Sequence, residues 1–177
     1  MVGGGLLLIM AYYYVSGRLV NPTRYIVLSS GTLGLVFLVA SLACSPLRRW
    51  AGWQGVIHIR RALGLYSFAF MAIHLLGYAV LENSLSPRLI WRDLGERRAM
   101  PLGLLAFALL IPLAVTSTQG WQRRLGRRWR KLHYLVYPAA ILSVWHYLWL
   151  DRDIITAPLI YTGIVGLLLA TRLIQSR

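Results

Sequence analysis

The chain has few acidic residues and a single cysteine. Its 177 residues include five Asp and Glu residues against nineteen Lys and Arg residues, and Cys44 is the one thiol. A lone cysteine excludes a disulfide framework within the chain, and neither a CxxC nor a CxxCH motif is present. Phosphate-binding glycine motifs and the HExxH metal motif are also missing. These absences argue against a disulfide-stabilised domain and against a nucleotide-binding enzyme.

Long apolar runs dominate what is present. Hydrophobic residues make up 58% of the chain and the mean hydropathy is +0.59, which is well above the average for soluble proteins. The runs 102–115 and 157–171 contain no charged residue. A bilayer core of about 30 Å requires roughly 20 helical residues, so runs of this kind are typical of membrane spans. Strict two-residue alternation is absent, which leaves α-helices as the spanning structure.

We interpret the chain as an all-α membrane protein, a six-helix transmembrane bundle in one domain that covers residues 1–177. The predicted helical segments are 2–16, 26–44, 62–81, 102–117, 132–150 and 157–172. The first segment is short and opens with three glycines, without the basic start and cleavage site of a signal peptide. We expect the chain to start inside its first helix.

The charges are distributed unequally between the two sides of the predicted bundle. Loop 45–61, loop 118–131 and the C-terminus carry twelve basic residues and no acid. The opposite loops carry seven basic residues and all five acids. The positive-inside rule therefore places both termini in the cytoplasm. A net charge of +14 would suggest nucleic acid in a soluble protein, but here the basic residues set the topology, and we expect no nucleic-acid partner.

Two histidines are predicted to lie at one depth in the membrane. Ionisable residues inside a bilayer are costly and are functional candidates by default. His74 lies about 18 Å and His146 about 21 Å from the cytoplasmic ends of the third and fifth segments, at 1.5 Å per residue. Neutral imidazoles suit iron, and haem is commonly held in this way. We therefore predict a haem between His74 and His146, and disfavour zinc, which requires four ligands.

His133 is a candidate ligand for a second haem. It lies about 20 Å along the fifth helix from His146 but is rotated by about 220°, and Pro138 between them favours a kink. Its partner remains open. His58 is poorly aimed and is better explained as an interfacial residue. Arg60 is better aimed, and an arginine suits a salt bridge to a haem propionate more than a bond to iron.

Several stretches of the chain resemble one bacterial family. The matching stretches are Asn21–Pro22, Tyr25–Ile26, Arg60–Tyr66, Ile73–Tyr78, Thr116–Gln119, Arg123–Gly126, Trp129, Lys131–Tyr134, Val136–Tyr137 and His146–Trp149. In order and spacing they are similar to signatures of the MsrQ family, also called YedZ, within the ferric-reductase-like transmembrane group. The resemblance extends from about residue 21 to the C-terminus, whereas relatives usually have a longer first helix.

The resemblance implies a multi-pass b-type cytochrome of the bacterial inner membrane. Such a subunit would take electrons from a cytoplasmic flavin reductase or the quinol pool. It would pass them to a periplasmic molybdopterin-containing methionine sulfoxide reductase subunit, which carries the substrate chemistry of protein repair. The implied cofactors are one or two haem b groups and FMN. The family histidines map onto His74, His133 and His146, and His58 has no counterpart.

Two other functions remain open from the residues alone. A stand-alone transmembrane ferric or quinone reductase would use the same haem core, although a self-sufficient one would need a cytoplasmic flavin domain. A transporter with proton-relay histidines would more often show carboxylates within its spans.

Loop 118–131, with six basic residues beside Trp121 and Trp129, is expected to contact anionic membrane lipid. Docking of a flavin phosphate or an acidic reductase is the alternative for this loop.

Overall fold

The computed structural model describes residues 21–150 and 156–175, together with isolated positions 5, 8, 9, 11, 12 and 15. Side chains are described up to residue 172. The predicted first segment, 2–16, therefore lies outside the described residues apart from those isolated positions. Within the described residues the chain is helical and contains no strand, which confirms the predicted all-α class.

The helices are numbered here in chain order. They are α1 (Pro22–Trp50), α2 (Val56–Gly77) with a π-helical turn (Tyr78–Glu82), α3 (Pro87–Glu96), α4 (Ala99–Val115), α5 (Gln119–Leu125), α6 (Arg127–His133), α7 (Val136–Leu150) and α8 (Thr156–Gln175). Helix α1 begins where Asn21 Oδ1 accepts a hydrogen bond from the Arg24 amide at 3.0 Å, with Pro22 in the first turn. Arg48 and Arg49 in its last turn complement the helix dipole.

Helices α1 and α2 form an antiparallel hairpin with direct hydrogen bonds between them. Ser41 Oγ donates to the Arg60 carbonyl at 3.2 Å, and Ser67 Oγ donates to the Gly34 carbonyl at 2.8 Å. Small residues and hydroxyl groups of this kind allow close helix packing in membranes. These two hydrogen bonds fix the register of the hairpin, which brings the start of α1 beside the end of α2.

Helices α4 and α7 form the second pair, and the core lies between the two pairs. Ala139 and Ala140 of α7 are 0% exposed. The buried cluster around them contains Leu35, Leu38, Leu42, Leu110, Leu113, Val144 and Val165. Helix α8 contributes Val165 and packs against α1 and α7. The core therefore joins both pairs into one bundle.

Two of the six predicted spans are recovered as clear spans by length and composition. Helix α1 and the continuous stretch Val56–Glu82 are long and apolar enough to cross a membrane. Helices α3 and α4 pass that test together but bend by 109°, and the apolar part of α8, Thr156–Arg172, is shorter. The six-helix count is therefore not established by the structure.

The fifth predicted span is broken near its start. Segment 132–150 is divided between α6 and α7, with turns at Tyr134 and Leu135. Pro138 has no N–H to donate to the Tyr134 carbonyl four residues earlier, which accounts for the break. The predicted loops 82–101 and 118–131 also contain helices, namely α3 in the first and α5 and α6 in the second.

Charge distinguishes the two ends of the bundle. We call the region of residues 82–98 the acidic end, because it holds Glu82, Asp93 and Glu96. We call residues 45–61, helices α5 and α6, and Arg172 the basic end. Antiparallel packing of α1 with α2, and the return of α4 towards α5, place these regions at opposite ends of the helices.

Candidate functional site

A cavity of about 550 Å³ lies among α1, α2, α4 and α7. Most of its lining is apolar, and His74 and His146 both contribute to it. Arg24, Glu82 and Arg97 are its charged lining residues, so the cavity reaches the acidic end. We call it the histidine cavity. An apolar cavity with a few converging polar groups is the usual form of a cofactor site.

His74 is held by the backbone of α1. Its Nδ1 lies 2.7 Å from the Val27 carbonyl oxygen. A carbonyl can only accept, so Nδ1 carries a proton, and in the neutral tautomer Nε2 keeps its lone pair. In an α-helix the residue four positions after a carbonyl lies directly above it, and here that residue is Gly31. A Cβ at Gly31 would lie 2.8 Å from His74 Nδ1, so the glycine makes room for the ring.

His146 is held in the same way by α4. Its Nδ1 lies 2.7 Å from the Ala99 carbonyl oxygen. Four residues after Ala99 comes Gly103, where a Cβ would lie 2.7 Å from His146 Nδ1. Each imidazole therefore contacts a helix carbonyl oxygen that it can reach because the residue one turn later is glycine. We call each such carbonyl with its glycine a cradle. Hydrogen bonds of this type fix the orientation of metal-binding histidines.

The two cradles are related by a constant spacing in the sequence. The same number of positions separates Val27 from Ala99, Gly31 from Gly103, and His74 from His146, and we call this spacing the common offset. The pair α1 and α2 thus presents one carbonyl–glycine–histidine unit, and the pair α4 and α7 presents a second. Around the histidines the shared sequence is only His-x-Leu, which is too short to be recognised as a repeat without the structure.

The separation of the two rings suits one metal ion held between them. Their centroids are 6.2 Å apart with an interplanar angle of 80°. A nitrogen–metal bond of about 2 Å on each side separates two ring centroids by about 6 Å. Among the described residues no group of three His, Cys, Asp or Glu side chains converges on a metal site. A metal held by this pair would take its other ligands from a group bound in the cavity of about 550 Å³.

Buried polar contacts close the wall of the cavity at the acidic end. Tyr78, in the π-helical turn, donates its hydroxyl to Asp93 Oδ2 at 2.7 Å. Asp93 Oδ1 lies 3.5 Å from Arg97 Nε. Asn83 supports the turn by donating to the Tyr78 carbonyl at 3.3 Å. These contacts tie α3 to the end of α2, and π-helical turns are frequent at functional sites.

The other candidate residues lie away from the histidine cavity. His133 ends α6, where its Nδ1 lies 3.1 Å from the Trp129 carbonyl and its ring stacks on Trp129 at 3.8 Å between centroids. Arg60 is half-buried near the start of α2, and His58 is exposed. The structure therefore brings His74 and His146 together and leaves His133 and Arg60 towards the basic end.

Sequence reasoning missed three features of the site. The carbonyl–glycine cradles have no side-chain signature, although the equal spacing of the two histidines and of two glycines could have suggested them. The contact between Tyr78 and Asp93 depends on a π-helical turn that no sequence pattern indicated. The contact of Arg172 with Tyr137 at the basic end joins residues 35 positions apart, and no sequence signal indicated it.

Comparison with known proteins identifies the family. Residues 27–144 match the family described as ferric reductase like transmembrane component. A protein of Rhodospirillum rubrum is 45% identical over 92% of this chain and 79% of its own length. One from Xanthomonas euvesicatoria is 41% identical over 86% of this chain and 70% of its own length. Both are named protein-methionine-sulfoxide reductase heme-binding subunit MsrQ. No solved structure matches the chain. The chain therefore belongs to the ferric-reductase-like transmembrane family and, within it, to the MsrQ family.

Proposed function

We propose that the chain is the haem-binding membrane subunit of a protein-methionine-sulfoxide reductase system, and that it carries electrons without substrate chemistry of its own. The observation that carries this proposal is the pair of carbonyl-anchored imidazoles, His74 and His146, 6.2 Å apart in an apolar cavity. The names of the relatives support it, since they specify a haem-binding subunit of that system.

In this proposal His74 and His146 would hold a haem b. When bound, that group supplies one-electron chemistry. The Val27 and Ala99 carbonyls accept from the two Nδ1 atoms, which would leave both Nε2 atoms available to bind the iron. Gly31 and Gly103 permit this approach. Arg24 and Arg97 lie where the cavity meets the acidic end and would face the propionates, because guanidinium groups pair well with carboxylates.

The charge distribution supports an outward path for electrons. Under the positive-inside rule the basic end faces the cytoplasm and the acidic end faces the periplasm of a bacterial inner membrane. The histidine cavity reaches the acidic end, so its electron would leave on the periplasmic side. The donor in this proposal is a cytoplasmic flavin reductase or the quinol pool. The acceptor is a periplasmic molybdopterin-containing reductase subunit, and the whole chain acts as one transmembrane domain.

His133 is the residue that we propose for a second haem, nearer the basic end. Its contact with the Trp129 carbonyl fixes Nδ1 as the protonated nitrogen, so Nε2 has the same ligand character as in the other two histidines. The position that precedes His133 by the common offset holds Arg61 and not a histidine. Any second haem would therefore be held less symmetrically than the first, and would be lost first on purification.

The proposal is tested by haem content in four alanine variants. Wild type and the variants of His58, His74, His133 and His146 are purified in mild detergent. Oxidised and dithionite-reduced spectra are recorded, with pyridine-haemochrome quantitation. We expect His74→Ala and His146→Ala each to remove the haem of the histidine cavity, and His58→Ala, at an exposed position, to change nothing.

The His133 variant then decides the number of haems. A value near two per wild-type chain that falls to one in His133→Ala supports the second haem, and a value of one that does not change rejects it. If well-folded wild type contains no haem after expression with adequate haem supply, the cytochrome proposal fails. The histidines would then be better explained as a proton relay.

A further inference from the structure

Asp93 of α3 is a buried carboxylate that does not itself line the histidine cavity. Its two oxygens face different partners. Oδ2 accepts a hydrogen bond from the Tyr78 hydroxyl at 2.7 Å, and Oδ1 lies 3.5 Å from Arg97 Nε. Tyr78 and Arg97 both line the cavity. Asp93 therefore lies directly behind two residues of the cavity wall.

The burial of Asp93 is not explained by stability alone. Removing a carboxylate from water is costly, and its attraction to a partner often does no more than offset that cost. The same helix carries a second acid–arginine pair with the same four-residue spacing, Arg92 and Glu96, whose side chains are 61% and 66% exposed. The side chain of Asp93 is only 7% exposed. Its buried position therefore points to what its partners do in the cavity.

Arg97 lies where α3 ends and the chain turns into α4. Its amide donates to the Asp93 carbonyl at 2.9 Å, and its backbone is extended, with φ −101° and ψ 102°. The two helices differ in direction by 109° at this point. Asp93 thus contacts Arg97 through its carbonyl and through its carboxylate, and the two contacts fix both the backbone and the Nε of the arginine.

An arginine that is held at Nε keeps the donors of both terminal nitrogens for a second acceptor. We propose that Asp93 is a positioning residue, which holds Arg97 so that these nitrogens face the carboxylates of a haem bound in the histidine cavity. A planar guanidinium group binds a carboxylate through two parallel hydrogen bonds, which requires a fixed orientation. The inference rests on the proposed function, and Asp93 itself does not contact the haem.

The test compares haem b with its dimethyl ester, in which both carboxylates are blocked. Wild type, Asp93→Asn, Arg97→Gln and the double variant are produced under haem limitation and loaded in detergent with either ligand. Loss of each ligand to an excess of apomyoglobin is followed in the Soret band. Asparagine keeps the shape of Asp93 and an oxygen that accepts from Tyr78, so it removes the charge that faces Arg97. Glu96→Gln, which removes the exposed pair on the same helix, is the matched control.

We expect haem b to leave Asp93→Asn and Arg97→Gln about fivefold faster or more than it leaves wild type. The double variant should lose haem b no faster than either single variant, because residues that act as one unit are not additive. The dimethyl ester should leave all of these proteins at the same rate. Glu96→Gln should change the loss of either ligand by less than about twofold, because exposed ion pairs contribute little.

A merely structural role of Asp93 would speed the loss of both ligands equally, and that result overturns the proposal. Unchanged loss of haem b from Arg97→Gln also overturns it, even if Asp93→Asn does not fold, since the Arg97 side chain is 55% exposed and its substitution should leave folding intact. Wild type that takes up neither ligand overturns the proposed function together with this inference. Wild type and variants that all retain haem b equally overturn this inference alone.

Discussion

The two helix pairs that enclose the histidine cavity are alike towards the acidic end and different towards the basic end. Val27, Gly31 and His74 of the first pair match Ala99, Gly103 and His146 of the second, each at the common offset. Both imidazoles make the same 2.7 Å contact with a helix carbonyl. Towards the basic end the match ends, because the position equivalent to His133 is an exposed arginine.

This difference indicates two kinds of chemistry along one bundle. Matched imidazoles on opposite walls suit a metal held from both sides. At the basic end they give way to a histidine stacked on Trp129 and to an exposed arginine, Arg61. The histidines of each pair would hold a ligand, whereas the glycines only make room for the histidine rings. A substitution of one kind of residue leaves the other kind intact, so the two roles can be tested separately.

The largest effect is expected from filling the cradles. Gly31→Ala and Gly103→Ala place a Cβ 2.8 and 2.7 Å from the Nδ1 atoms of the two histidines, which forces each ring away from its carbonyl. Loss of such a supporting hydrogen bond typically weakens metal binding about 10–100-fold. We expect a corresponding loss of retained haem, measured by pyridine-haemochrome analysis after purification, with shifted reduced bands in the haem that remains.

The control for the cradle substitutions is Gly163→Ala in α8, where an added Cβ has no atom within 4 Å. It should retain haem like wild type. If Gly31→Ala alone loses haem while Gly103→Ala does not, the two cradles are not equivalent and the common offset has no functional meaning. If neither variant changes the haem content, the carbonyl contacts do not support the ligands.

A smaller effect is expected at the acidic end, where the two pairs also differ. Tyr78 has no polar counterpart in the second pair, since the residue at the common offset from it is Leu150. Tyr78→Phe leaves Asp93 Oδ2 without its 2.7 Å donor, while Arg97 still lies 3.5 Å from Oδ1. A buried acceptor atom left without its donor costs about 1–3 kcal/mol. Thermal unfolding in detergent should show the loss, together with easier release of haem as α3 loosens.

Glu96→Gln is the matched control for Tyr78→Phe. It removes the exposed contact between Arg92 and Glu96, whose partners are 3.7 Å apart, and exposed ion pairs contribute about 0–1 kcal/mol. Equal stability losses in the two variants would show that the buried contact has no special role in closing the cavity.

The sequence was sufficient to predict the helical class and the meeting of His74 with His146. Apolar runs have a direct physical meaning in a bilayer, and counting residues along two parallel helices gives depth because the rise per residue is fixed. The same counting indicated that His133 faces away from His146. The structure accordingly places His133 against Trp129 and not in the histidine cavity.

Such counting could not predict the number of spans or the backbone groups that accept from the two histidines. Whether α3 and α4 act as one span depends on a 109° bend that composition does not encode. The acceptors of both histidines are backbone carbonyls, which every residue possesses, so no residue type marks them. The contact of Arg172 with Tyr137 depends on which helix packs beside α7. That arrangement is set by the core around Ala139 and Val165, and not by residues adjacent to Arg172 in the sequence.

The smallest expected effect concerns the packing of the first pair. Ser67 is 1% exposed and donates to the Gly34 carbonyl across the α1–α2 interface at 2.8 Å, whereas its counterpart at the common offset is Ala139, whose side chain packs without a hydrogen bond. A hydrogen bond contributes about 0.5–1.5 kcal/mol, and membrane interfaces average about 0.6 kcal/mol. Ser67→Ala should therefore lower stability slightly without changing haem content.

Ser143→Ala is the control, because Ser143 donates within its own helix to the Ala139 carbonyl. A loss in Ser143→Ala as large as that in Ser67→Ala would show that the first pair does not depend on its interhelical bond, and that it packs, like the second, by shape alone.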